Sequence, residues 1–295
     1  MQLIRIANVL SLFTLQYQPM RKIFLLSLLA MSMLVACNNA NTEQEAEKMA
    51  DFADDPEFKD AHEEPRAATV AGKGETIAIP TADGTDASAY ALMSASKSNK
   101  YLLVIHEWWG LNDNIKEEAE RLFADLGDVN VLALDMYDGK FATTPDDAGK
   151  LMQAVKEDRA KAIVQAAIDM AGADAEIATI GWCFGGGWSL KSSIMAGEQG
   201  VACVMYYGMP VQSAEEIAPL KADILGIFAE QDGWITPEVA TNFENLAKAA
   251  GKQISIHQYN AKHAFANPSN PDYVKDAAQD ANAKALAFLK TKFAS

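Results

Sequence analysis

"EIATIGWCFGGG", residues 176–187, decides how this chain folds. Its first half is an apolar, β-branched run of strand length. Its second half sets one cysteine among glycines before "WSLKSSIMAG" continues with helical character. A core thiol needs no glycines around it, but a sharp strand-to-helix turn does. The turn residue is held in strained backbone, and side chains two residues before or after it would collide with neighbouring elements. Cys183 is therefore read as a side chain presented at the carboxyl end of a strand. It sits beside a helix N-terminus, whose partial positive charge favours thiolate.

Working outward, the pattern of strand followed by helix repeats. "KYLLVIHEWWG" (100–110) is an unbroken apolar run suited to a strand buried on both faces. Segments 129–137, 200–208, 222–233 and 253–259 read as further strands, and 75–95, with Asp83-Gly84, as a hairpin. Helices are expected over 112–127, 146–171, 184–197, 236–251 and 271–293, with Thr144-Pro145 and Thr236-Pro237 as helix starts and Gly127 as a stop. The expected fold class is α/β, a mostly parallel central sheet with helices on both faces. Ligands bind such sheets beyond the carboxyl ends of the strands.

Two of those ends carry partners for a thiol. Asp232 stands in "AEQDGW" directly after one strand, and His263 in "NAKHAF" after the next. A thiol nucleophile needs a base, and the base an orienting acid, and the order Cys, Asp, His is that of the α/β-hydrolase template. The N–H of Phe184 is free to face a developing oxyanion. Glu107 ends an otherwise apolar strand. A carboxylate there costs several kcal/mol to bury unless partnered, so a site that partners it is expected; the alternative is a surface glutamate. Trp108, Trp109 and Trp234, with Tyr137, either line an acyl pocket or pack as core.

Composition narrows the function classes. The chain has 295 residues, 49% apolar, with a net charge of −15. No basic run exceeds Arg21-Lys22, which argues against a nucleic-acid partner. The 3 cysteines and 4 histidines show no CxxC or HxxxH spacing, so neither a disulfide framework nor a metal site is expected.

The first 37 residues read as a targeting segment, with Met20 as a plausible start. Arg21-Lys22 precede an apolar core of about a dozen residues, too short to span a bilayer. "LVAC" (34–37) resembles a bacterial lipobox, which makes Cys37 the expected lipid-bearing residue. Asn38, rather than an aspartate, resembles the pattern of lipoproteins sent to the outer membrane. The expected location is the bacterial cell envelope, lipid-anchored and facing the periplasm. Residues 38–73, acidic and without apolar periodicity, read as a flexible tether. The folded α/β domain is then 74–295.

"HEWWGLND", "GWCFGG", "EQDGWITP" and "NAKHAFAN" resemble, in order, blocks of the dienelactone hydrolase family. The resemblance implies an α/β-hydrolase fold, a Cys183–His263–Asp232 triad and no cofactor. It also implies that Glu107 helps generate the thiolate and that Trp108 joins Phe184 in the oxyanion hole. In the founding members, arginines bind a substrate carboxylate. Gly139 and Asn267 stand near those places here, with Lys140 as a nearby cation, and a lysine does not reproduce a bidentate guanidinium clamp. The implied activity is cysteine-dependent cleavage of small esters or lactones, with anionic dienelactones disfavoured. A catalytically silent membrane-tethered binding protein is the alternative. Thiol redox chemistry between Cys183 and Cys203 is a third reading.

Overall fold

The structure is a computed structural model that describes residues 49–62, 68 and 70–294. The expected leader and Cys37 lie outside the described residues. Among those described, eight strands form one sheet in the order β1-β2-β4-β3-β5-β6-β7-β8. The hairpin β1 (Glu75–Ile79) and β2 (Ala87–Leu92) is antiparallel, with Glu75 opposite Ala91. The other strands run parallel to one another: β3 (Lys100–Ile105), β4 (Asn130–Leu134), β5 (Glu176–Trp182), β6 (Gly200–Tyr206), β7 (Asp223–Ala229) and β8 (Ile254–Tyr259). β4 is buried at every position, as two covered faces require. The expected fold class holds.

The helix signals hold at several ends. Thr144 and Thr236 each accept an N–H from three residues on, ahead of a proline in the first turn. Gly127 ends the helix Asp113–Leu126 with φ of 80°. The single helix expected over 146–171 is instead two, Pro145–Ala154 and Glu157–Ala171. Val155 and Lys156 are extended between them. Glu157 and Asp158 favour a helix N-terminus at that point, which periodicity alone does not register.

The larger correction concerns the expected tether. Residues 49–62 belong to the same compact unit as the sheet. A 3-10 turn (Met49–Phe52) leads into helix α1 (Pro56–Asp60), capped by Asp55, whose side chain accepts the N–H of Glu57. Phe58 is fully buried. The segment is tied down by Lys59 on Asp146 (2.8 Å), Gln153 on Asp54 (2.8 Å), the indole N–H of Trp234 on Asp55 (2.9 Å) and the amide of Asn270 on the Ala61 carbonyl (2.7 Å). Average polarity hid it, because one buried aromatic anchors a short polar stretch without producing a periodic pattern.

Burial of a phenyl ring stabilises by several kcal/mol, so Phe58→Ala is expected to cost about 3 kcal/mol. The fall in the urea midpoint of the purified protein measures it. A side chain on a solvated tether would leave the midpoint where it was.

Candidate active site

Cys183 follows β5 and heads the helix α5, numbering the helices α1 (56–60), α2 (Asp113–Leu126), α3 (Pro145–Ala154), α4 (Glu157–Ala171) and α5 (Phe184–Ala196). Its φ is 54°, a conformation that costs a non-glycine residue of order 1–3 kcal/mol. The turn survives because its surroundings leave no alternative. Cys183 donates its N–H to the Tyr206 carbonyl at 3.0 Å, and its own carbonyl accepts from Gly186 at 2.9 Å. A Cβ on Gly181 would lie 2.1 Å from the Gly185 carbonyl oxygen. On Gly185 it would lie 2.3 Å from that of Ile105, and on Gly186 2.5 Å from that of Tyr206. The glycines let α5 press its backbone against the ends of β3 and β6.

The pairing of His263 with Asp232 is direct. His263 Nδ1 lies 2.6 Å from Asp232 Oδ2, and both side chains are buried. A carboxylate only accepts, so Nδ1 carries the proton and Nε2 faces the other way. The second oxygen of Asp232 accepts the N–H groups of Trp234 and Ile235, each at 2.9 Å. Burial by itself lowers the pKa of His263, but Asp232 and the nearby thiol outweigh it and hold the imidazole up. Burial pushes the Cys183 thiol up, opposed by the facing His263 and by the N–H of Phe184. A ring nitrogen of His263 lies within 4.8 Å of Cys183 Sγ.

Glu107 follows the end of β3 and is 8% exposed. Burial pushes its carboxyl up to about 7, against the pull of His263 and of an amide hydrogen bond from Asn267. That bond, Asn267 Nδ2 to Glu107 Oε2, is 2.7 Å. Asn267, read from sequence as a place where a substrate-binding group is missing, is thus the partner of Glu107. Gly139 and Lys140 line a different cleft, in a turn whose N–H groups at Tyr137 and Gly139 close onto Asp135.

The four aromatic residues separate. Trp109 lines a cleft of about 400 Å³ together with Glu107, Arg121, Tyr207 and Asn267. Arg121 there is engaged by Glu118 and Asp125. Trp108 is fully buried, edge-on to Phe58 at 5.1 Å. Trp234 packs between Phe58 (5.0 Å) and His263 (5.8 Å), and Tyr137 packs edge-on to His106 and tilted against Phe184. Trp108 is therefore core and Trp109 cleft wall.

Three contributors went unread in the sequence. Tyr207, at the end of β6, lies 5.2 Å from the His263 ring and has φ of 34°, while Ala264, beside His263, has φ of 58°. Phe58 (5.7 Å) and His62 (5.4 Å) also pack on His263 from the N-terminal segment. No local sequence signal marks them, since their role depends on where the segment docks. Cys183 and Cys203 are both free thiols. Cys203 is level with Thr179, four residues of strand before Cys183, or about 13 Å away. That separation rules out the redox pair.

The Asn267 bond stabilises the charged form of Glu107, so removing it raises the pKa further. Asn267→Leu is expected to move the Glu107 titration upward from about 7, by about one unit. Carbon-13 NMR of the labelled carboxyl groups reads this directly. An unmoved or lowered titration would contradict the assigned partnership.

A sequence profile described as "Dienelactone hydrolase family" matches residues 87–293. "Protein usf" of Aquifex pyrophilus is 34% identical over 202 residues, covering 64% of this chain and 87% of its own. A "Carboxymethylenebutenolidase" of a Pseudomonas species is 34% identical over 118 residues, 40% of this chain and 48% of its own. The crystal structure of the "Dienelactone Hydrolase-like Promiscuous Phospotriesterase P91" from metagenomic libraries superposes with a TM-score of 0.64 at 24% identity, covering 75% of this chain and 99% of that one. The family match runs from the second strand of the hairpin to the end of the last helix. This chain belongs to the dienelactone hydrolase family and is a hydrolase of the α/β-hydrolase fold.

Proposed function

We propose that the protein cleaves small carboxylic esters or lactones through a cysteine acyl-enzyme. The observation that carries this reading is the hydrogen bond of His263 to Asp232 at 2.6 Å, with the far nitrogen of the imidazole turned toward a thiol on a strained turn. In the proposed cycle the Cys183 thiolate attacks the carbonyl carbon. The N–H groups of Phe184 and Trp108 receive the developing oxyanion. Collapse of the tetrahedral intermediate expels the alcohol or opens the lactone, with His263 giving it a proton. His263 then takes a proton from water, which attacks the thioester and frees the acid. Asp232 fixes the imidazole in the required tautomer. Glu107, whose carboxyl is pushed up to about 7, is suited to take the thiol proton as substrate binds and to return it to the thiolate once the acid is freed. His263 starts and ends the cycle as the imidazolium that Asp232 and the thiol favour.

The cleft walls bear on substrate choice. Glu107, Glu117 and Glu118 lie along it, and Arg121 is already engaged by acids. An anionic substrate would meet net negative charge, so neutral esters and lactones are favoured. Trp109 and Tyr207 offer the apolar surface. The silent binding-protein reading has one observation in its favour, that Cys183 is 1% exposed beneath the N-terminal segment. A thiol-directed acylating probe separates the two, because only the enzyme acylates Cys183 faster than free cysteine.

Cys183→Ala is expected to lower hydrolysis of a neutral chromogenic ester by at least about 1,000-fold, the scale at which triad members act. Unchanged turnover would sink the nucleophile assignment. In the wild-type protein, kcat/KM for neutral esters should exceed that for carboxylate-bearing analogues.

The cellular placement is part of the same proposal. The lipobox-like "LVAC" supports lipidation at Cys37 and attachment to a membrane of the bacterial envelope, with the domain facing the periplasm. Among the described residues no helix is long and apolar enough to cross a membrane. Cys37→Ser is expected to abolish palmitate incorporation and shift the protein to the soluble fraction. Unaltered labelling and fractionation would exclude the anchor.

A further inference from the structure

His62 has no part in the cycle above, yet it is 4% exposed and faces the nucleophile. Its Nδ1 lies 2.6 Å from the Phe58 carbonyl oxygen. A carbonyl only accepts, so Nδ1 carries the proton and Nε2 presents a lone pair. Nε2 of His62 has no hydrogen-bond partner, and neither has Nε2 of His263. A ring nitrogen of each histidine and Cys183 Sγ all lie within 4.8 Å of one another, and all three residues are buried.

We infer that Cys183, His263 and His62 form a site for a thiophilic divalent cation of the zinc type. The donors are of the kind that zinc prefers, one thiolate and two imidazoles. Each imidazole is already oriented through its other nitrogen, His263 by a carboxylate and His62 by a backbone carbonyl, as metal-bound histidines are. Zinc bonds of about 2.0–2.3 Å would draw the donors to within about 3.8 Å of one another. Closure thus takes shifts of about 1 Å, within the reach of side-chain rotation. Asp232 and Glu107 stand behind the donors and offset the added charge. Binding displaces the protons that the thiol and the His263 nitrogen hold, so it strengthens as pH rises.

The expectation of no metal site came from local spacing. Here the donors come from three distant places in the chain, one of them in the segment read as a tether. The consequence rests on the proposed function: with Sγ bound to the cation, its electron pair is not available to attack a carbonyl. The metal-loaded protein is then silent toward esters, and the N-terminal segment, through His62, holds that state.

The test uses the full-length protein, reduced with a phosphine and stripped by a chelator. Titration with cobalt(II) should give a thiolate-to-cobalt charge-transfer band that saturates at one equivalent and is displaced by zinc. His62→Ala and His62→Gln should each weaken cobalt binding at least tenfold, while keeping the ester hydrolysis of the metal-free protein. X-ray absorption of the zinc-loaded wild type should count one sulfur and two imidazoles. Absence of the band, a single imidazole, or equal affinity in the His62 variants would overturn the inference. Hydrolysis is the separate arm: no ester turnover in any metal-free protein would defeat the proposed function and leave the spectroscopic result standing.

Discussion

The site depends on how closely three stretches of backbone can approach one another. At Gly181, Gly185 and Gly186 there is no room for a Cβ, because carbonyl oxygens of Gly185, Ile105 and Tyr206 occupy its place. That contact locks the start of α5 onto the ends of β3 and β6. It fixes Cys183 at φ of 54° and aims the N–H of Phe184 at the thiol. The same contact holds the end of β3, from which Glu107 and Trp108 project. A strained residue persists only where its surroundings over-determine it, and here they are backbone rather than adjustable side chains.

The buried charges are graded by how many donors each receives. Asp232 takes three, from His263, Trp234 and Ile235. Glu107 takes one amide bond from Asn267, too little to offset burial, so its carboxyl rises to about 7. Two carboxylates in one pocket are thereby given different chemistry. Asp232 orients the imidazole, while Glu107 can hold or release a proton near neutrality. His62 is pushed the opposite way, to about 3, by burial and by the neighbouring His263. It meets the thiol as a neutral ring.

The N-terminal segment changes how the site is bounded. Phe58 and His62 pack on Trp108, Trp234 and His263, so the segment walls in the His263 ring. The hold is short and polar at its margins, with Lys59–Asp146 at the surface contributing little and Phe58 contributing most. A small number of buried atoms therefore decides whether this segment is tether or wall.

Local chemistry was enough to read the turn at Cys183, the strand–helix alternation, the helix caps at Thr144 and Thr236, and the order of Cys183, Asp232 and His263. Each of these is written in consecutive residues: glycines where backbones must touch, apolar runs where strands are buried, a polar residue before proline where a helix starts. The break at Val155–Lys156, the pairing of Asn267 with Glu107, the placement of Tyr207, and the docking of Phe58 and His62 were decided only in three dimensions. Asn267 and Glu107 are 160 positions apart, and nothing near either one announces the other. Local sequence determines which backbone conformations are affordable, and so it determined the elbow. Which distant side chains meet there depends on how the assembled sheet brings strand ends together, and only the tertiary structure settles that.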